Sequence, residues 1–168
     1  LATTAMAQQL SGGSYATANF AIAGVFIARL LPAVFLGPIA GVIADRLDRR
    51  KLMVGADILR AALYVSIPIV NTYIWLYTAM ILVECLTLFW SHAKEATVPN
   101  LVGKEKLESA NQVSLLAAYG TAPIAAILFS LLTLFANAIE SLFPFSIGGS
   151  IDIALYVNAA SFAFAALT

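Results

Sequence analysis

Apolar stretches long enough to cross a lipid bilayer recur along this chain, at residues 18–44, 52–70, 73–91, 109–135 and 151–168. A bilayer core is about 30 Å thick and a helix rises about 1.5 Å per residue, so about 20 apolar residues span it. Hydrocarbon offers the backbone no hydrogen-bond partner, so each run has to satisfy itself as a helix. Charged residues make up only 11% of the chain and hydrophobic ones 61%, against roughly 25% charged in soluble domains. The expected fold is an all-α polytopic membrane protein, a helical bundle. The chain opens on Leu1 without a charged leader and stops at Thr168 inside an apolar run. Both ends are therefore expected to be cuts in a longer protein, with residues 1–8 the tail of a truncated first helix.

Several function classes drop out early. One cysteine, Cys85, and one histidine, His92, exclude an internal disulfide and any multi-histidine or cysteine metal site. The cations are clustered rather than striped along a face, so nucleic acid is not an expected partner. No paired acids or nucleophile–base pair stands at usable spacing, so no enzymatic activity, metal or cofactor is expected. Ser91 and His92 lack an orienting acid, and Cys85 reads as an apolar filler. The lipid bilayer is the first expected partner.

Between the first two complete spans lies a knot of charge, Gly41-Val-Ile-Ala-Asp45-Arg46-Leu-Asp48-Arg49-Arg50-Lys51. Loop 45–51 carries Arg46, Arg49, Arg50 and Lys51, and loop 92–108 carries Lys94, Lys104 and Lys106. The loops at 8–17, 71–72 and 137–150 carry no Lys or Arg. The positive-inside rule puts the two basic loops in the cytoplasm, and their alternation with the empty loops matches the spans. Tyr73, Trp75 and Tyr77 at one end of a span, and Trp90 at the other, are expected to mark the interfaces.

Asp45 ends its helix, where the macrodipole disfavours a carboxylate by roughly 0.3–1 kcal/mol. It needs a partner, which Arg49 four residues on or the N-terminus of another helix could supply. The other reading of this loop is a solvated charge cluster that only sets topology. Ala33, Gly37 and Gly41 recur every four residues toward Asp45, and Ser114, Ala118, Ala122, Ala126 and Ser130 repeat the pattern beside Pro123. Such small-residue stripes let another helix approach closely.

Charges fall deep within three of the spans. Arg29 and Glu84 both lie about 13–16 Å deep at 1.5 Å per residue. Buried ions there normally pair or line a wet cavity. An Arg29–Glu84 pair in or beside a substrate cavity, with Glu84 accepting protons, is one expectation. A purely structural pair, or Arg29 snorkelling outward, is the other. Asp57 and Arg60, three apart near the cytoplasmic side, are expected to form a local pair, structural or coupled to transport.

The loop Gly-x-x-x-Asp-Arg-x-x-Arg-Arg-Lys, on Gly41, Asp45, Arg46, Arg50 and Lys51, resembles the signature between helices two and three of the major facilitator superfamily. The form Asp-Arg-x-Asp-Arg-Arg is similar to the branch of enterobactin exporters and macrolide efflux proteins, where Asp48 replaces a common glycine. Gly55-Ala-Asp57-Ile-Leu-Arg60-Ala61 and Val98-Pro99-Asn100-Leu101-Val102 through Asn111 are similar to further stretches of that branch. The chain departs from the family at Met80 and Glu84, where an arginine is frequent, and at Gly120-Thr-Ala122-Pro123, which keeps only the proline of a Gly-Pro signature.

The resemblance implies that residues 1–168 are the N-terminal six-helix half of a twelve-helix transporter, built from inverted repeats. It implies export of a small molecule (drug, siderophore or metabolite) by alternating access, with protons as a coupling ion and antiport as the mode. It places the chain in the bacterial cytoplasmic (inner) membrane, with a C-terminal half as partner. In it, Asp45 latches the outward-open state, and the helices bearing the two stripes slide on the opposite half. A non-transporting membrane scaffold that keeps the fold is the alternative.

Overall fold

The computed structural model describes residues 1–12, 15–102, 106–142 and 150–167; the side chains at 99–101, 107, 118, 122, 136–142 and 150 lie outside that description. Six helices follow in order: α1 (Ala2–Leu10), α2 (Tyr15–Ala44), α3 (Arg49–Val70), α4 (Tyr73–Val102), α5 (Leu107–Leu142) and α6 (Ser150–Leu167). Among the described residues there is no strand. Four of the helices, at Tyr15–Ala44, Arg49–Val70, Tyr73–Val98 and Glu108–Phe135, are long and apolar enough to cross a membrane, and Ile151–Leu167 is a shorter apolar helix. The chain is an all-α, polytopic integral membrane protein.

The helices outrun the apolar stretches. Residues 8–10 belong to α1, and α2 begins at Tyr15 rather than 18. The expected loop 92–108 is helical as far as Val102, and the expected loop 137–150 is helical as far as Leu142. Hydropathy reports how deep a residue can sit in lipid, whereas a helix continues wherever its backbone bonds do. Residues 143–149 of that expected loop, and Lys104, fall outside the described residues.

Local chemistry sets the turn between α2 and α3. Asp48 is the N-cap of α3, with extended backbone (φ −63°, ψ 110°), and its carboxylate accepts the Lys51 N–H at 3.0 Å. This satisfies one of the orphan donors of a helix start. Arg49, Arg50 and Lys51, expected in a loop, therefore form the first turn of α3. The two-residue turn 71–72 is closed at the other end of α3. Asn71 is left-handed (φ 49°, ψ 45°) and its N–H donates to Ile67 O at 3.0 Å, a helix stop that asparagine tolerates.

The core lies between α2 and α4, with α1, α3 and α6 closing over it. Ala21, Val25 and Ala28 of α2 meet Leu76, Ala79, Met80 and Val83 of α4, beside Met6, Ile67 and Leu155. Alanine at the crossing lets the backbones approach without water to drive them together. Gly24 goes further: a Cβ there would stand 3.0 Å from the Tyr77 ring, whose hydroxyl donates to Ala21 O at 3.3 Å. The Trp75 indole donates to Ser66 Oγ at 2.9 Å, tying α3 to α4, and Tyr64 stacks on Phe162 of α6 at 5.6 Å. By contrast, none of the described side chains of α5 between Glu108 and Phe135 is buried.

Gly24→Leu is expected to push α2 off α4 and lower stability by about 1–3 kcal/mol, the usual cost of overpacking. Gly55→Ala, where an added Cβ meets nothing within 4 Å, is expected to raise stability by roughly 0.5–1 kcal/mol through helix propensity. Thermal unfolding of the two purified variants in one detergent checks the contrast.

Candidate functional site

Charged side chains converge on the interior of the bundle from three helices. Arg29 is the fifteenth residue of the 30-residue α2, and its Nε donates to Glu84 Oε1 of α4 at 2.8 Å. The pair is not sealed: the Arg29 side chain is 47% exposed and that of Glu84 19%. Charges at this depth carry a desolvation cost and normally pair or line a wet cavity.

Asp57 and Arg60 are more deeply placed than the sequence implies. Arg60 is the twelfth of the 22 residues of α3, mid-helix rather than near one side, and both residues are buried. Arg60 Nη2 donates to Asp57 Oδ1, and Nη1 lies 3.5 Å from Thr87 Oγ1 of α4. Its guanidinium sits 5.2 Å from the Trp90 ring centre and 4.7 Å from that of Phe162. The Trp90 indole N–H donates to Asp57 Oδ2 at 3.2 Å. The pair expected to be local therefore joins α3 to α4 and α6. Trp90, expected as an interface ring, serves this cluster, and the Lys94 ammonium also lies over its ring, 5.4 Å from the centre. Aromatic faces suit a buried guanidinium because they attract the cation with little desolvation.

At the basic end, Arg49 Nη1 donates to Ala96 O at 2.7 Å, and its Nη2 is 3.9 Å from Asp45 Oδ1. Arg49 thus ties the α2–α3 turn to α4 while offering Asp45 a loose contact. The Asp45 side chain is 67% exposed, and an ion pair that open contributes little. Arg46, Arg50 and Lys51 are exposed. Arg49, Arg50, Met53, Asp57 and Trp90 help line a cavity of about 790 Å³ between α3, α4 and α6.

The small-residue stripe divides. Gly41 faces α4: a Cβ there would lie 3.3 Å from His92 Cδ2, and His92 Nδ1 is held by Leu88 O at 2.7 Å. Ala33 is exposed, and an added Cβ at Gly37 meets nothing. Pro123 of α5 is exposed, and the side chains of Ala118 and Ala122 lie outside the described residues. The sequence reading missed Thr87, Phe162 and the packing of His92 on Gly41. Thr87 is signalled only by its spacing of three from both Glu84 and Trp90.

A basic turn thus joins two membrane helices, with ion pairs in the bundle behind it. A family model described as "transmembrane secretion effector" matches residues 6–148. The chain belongs to this family of the major facilitator superfamily. Among curated relatives, macrolide efflux protein A of Enterococcus faecalis is 37% identical over 82 residues, covering 46% of this chain and 25% of that protein. A transporter of the same superfamily from Mycobacterium tuberculosis is 32% identical over 99 residues, covering 56% of this chain and 22% of that protein. Another, from Bacillus subtilis, is 31% identical over 84 residues, 50% of this chain and 20% of its own. The matched stretches thus span a quarter or less of these relatives' lengths. No solved structure matches the chain.

Breaking the buried pair by Asp57→Ala or Arg60→Ala is expected to cost this family member about 3–5 kcal/mol, since each leaves an uncompensated buried charge. Asp48→Ala, which removes only the N-cap, is expected to cost about 0.5–2 kcal/mol. Thermal unfolding of purified protein ranks the three.

Proposed function

We propose that residues 1–168 form the N-terminal half of a secondary active exporter that moves a small molecule across the bacterial cytoplasmic membrane by alternating access. The observation that carries this reading is the Arg29–Glu84 pair, mid-helix and partly open. A scaffold has no use for two half-paired charges in lipid, whereas a carrier needs groups that change partner there. Efflux as the direction is supported by the macrolide efflux proteins among the relatives. Siderophores and metabolites belong to the same substrate range.

Glu84 is the proton-accepting group of this reading. Its carboxylate is paired by Arg29 in the state described here and takes up a proton when that pair opens. The charged turn at Gly41–Lys51 faces the cytoplasm, together with the stretch from His92 to Glu108 that carries Lys94 and Lys106. Asp45 is the latch: mostly exposed and only loosely met by Arg49, it is free to cap a helix of the C-terminal half. Ala33 and Gly37 leave the surface above it uncovered within this chain.

Glu84→Gln is expected to abolish transport driven by a proton gradient while the folded protein still reaches the membrane. Substrate flux in vesicles with an imposed gradient measures this, and undiminished flux in that variant sinks proton coupling through Glu84. Asp45→Asn keeps every cation, so a purely topogenic loop predicts normal transport. The latch predicts a loss of about 5-fold or more, the range of a typical conformational coupling.

A further inference from the structure

The geometry points to Arg60 as a second, fixed cation for Glu84, one that holds the carboxylate when Arg29 leaves it. Two guanidinium groups approach one turn of α4 from different helices. Arg29 reaches Glu84 from α2, and Arg60 reaches Thr87 from α3. Residues three apart on a helix are neighbours on one face, so Thr87 carries the Arg60 contact to the turn that bears Glu84. Depth agrees. Arg60 is ten residues from Val70 and Glu84 eleven from Tyr73, at the two sides of the turn 71–72. Each therefore lies about 15–17 Å below that turn at 1.5 Å per residue.

The two cations are held very differently. Arg29 is held through Nε by Glu84 and has a half-exposed side chain. Arg60 is gripped by Asp57, by Ala56 O at 3.4 Å and by the rings of Trp90 and Phe162, with 5% of its side chain exposed. Arg29 is the partner that can be drawn away, and Arg60 is the one that stays. Asp57 is engaged through both oxygens, by Arg60 Nη2 and Trp90 Nε1. Arg60 Nη1 is thereby left on the α4 side, beside Thr87. Tyr64 of α3 and Cys85 on its own helix are ionisable groups near Glu84. Neither carries a positive charge, and the facing stretch of α1 has no ionisable side chain.

Arg60 is on this account a positioning residue. It gives Glu84 a resting place inside the bundle when substrate or a group of the other half recruits Arg29. The carboxylate then never stands unpaired in the low-dielectric interior, where an orphan ion would neutralise itself. The inference rests on reading Arg29 and Glu84 as the path site, because only there does Arg29 have reason to leave.

Infrared spectroscopy of the purified protein at neutral pH tests it, reading the carboxylic-acid C=O stretch assigned to Glu84 by its absence in Glu84→Gln. Arg29→Gln alone is expected to leave Glu84 ionised, with no such band. Arg29→Gln with Asp57→Leu and Arg60→Met, which removes the buried pair as a unit so that Asp57 cannot add a band of its own, is expected to bring the band up to about one carboxyl per protein, and Arg29→Gln with Arg60→Lys to suppress it again. Should that triple variant not fold, Arg29→Gln with Arg60→Met reads the same band as the part that Glu84→Gln removes. The band appearing in Arg29→Gln alone would overturn the proposal, as would its absence after Arg60 is neutralised. These spectra require no transport, so failure of Glu84→Gln to impair gradient-driven flux would sink proton coupling separately.

Discussion

A guanidinium in the middle of a hydrocarbon slab has to be answered on every side, and the answer to Arg60 organises this bundle. Its side chain is satisfied by a carboxylate from its own helix, a hydroxyl and an indole from α4, and a phenyl ring from α6. Tyr64, one turn away, stacks on the same Phe162. Since lipid tails compete equally for apolar side chains, hydrophobic burial alone cannot choose which helices associate. A polar cluster can, because every alternative arrangement leaves a buried charge without a partner. The mutual placement of α3, α4 and α6 follows from that single constraint.

A different force joins α2 to α4. There the contact is made by alanines and by Gly24, and close backbone approach replaces polar bonding. Arg29–Glu84 lies on the edge of this contact rather than inside it, which is why it remains partly open. One bundle thus carries two ion pairs of opposite character. The pair with both members on α3 is sealed by aromatic rings and fixes architecture. The pair bridging α2 and α4 keeps its arginine half exposed.

How much of this the sequence discloses depends on the length scale of each interaction. Membrane helices are legible because their signal is a sum over about 20 residues. Asp57 and Arg60 are legible as a pair because three-residue spacing is a local rule. Arg29 and Glu84 could be matched in advance only through their similar depth. The partners of Arg60 were not legible, because Trp90 reads equally well as an interface ring and Phe162 as one more apolar residue. Helix ends were misread for another reason. Asp48 read as a replacement for a glycine rather than as an N-cap, and the polar composition from His92 onward suggested a loop where the backbone simply continues as helix.

The signature turn gains a different meaning from this geometry. Taken as a string of residues, Gly41 appears to clear a path for a helix beyond the chain. In the structure it is His92 of α4 that occupies the space, while Arg49 bonds Ala96 one turn further along the same helix. The α2–α3 turn is therefore fastened to the end of α4, the helix that also bears Glu84. Fastening has a mechanical consequence. A force applied at Asp45, which projects from this turn with most of its side chain exposed, is transmitted to α4 through two contacts rather than dissipated in a loose loop. Between that end and Glu84 lie Trp90 and Thr87, both engaged by the Asp57–Arg60 cluster. Rigid, packed elements carry such displacements because close-packed interfaces shift between discrete arrangements rather than deform continuously. The turn, α4 and the buried cluster are thereby joined by direct contacts, and the Arg29–Glu84 pair lies outside them, bridging α2 and α4.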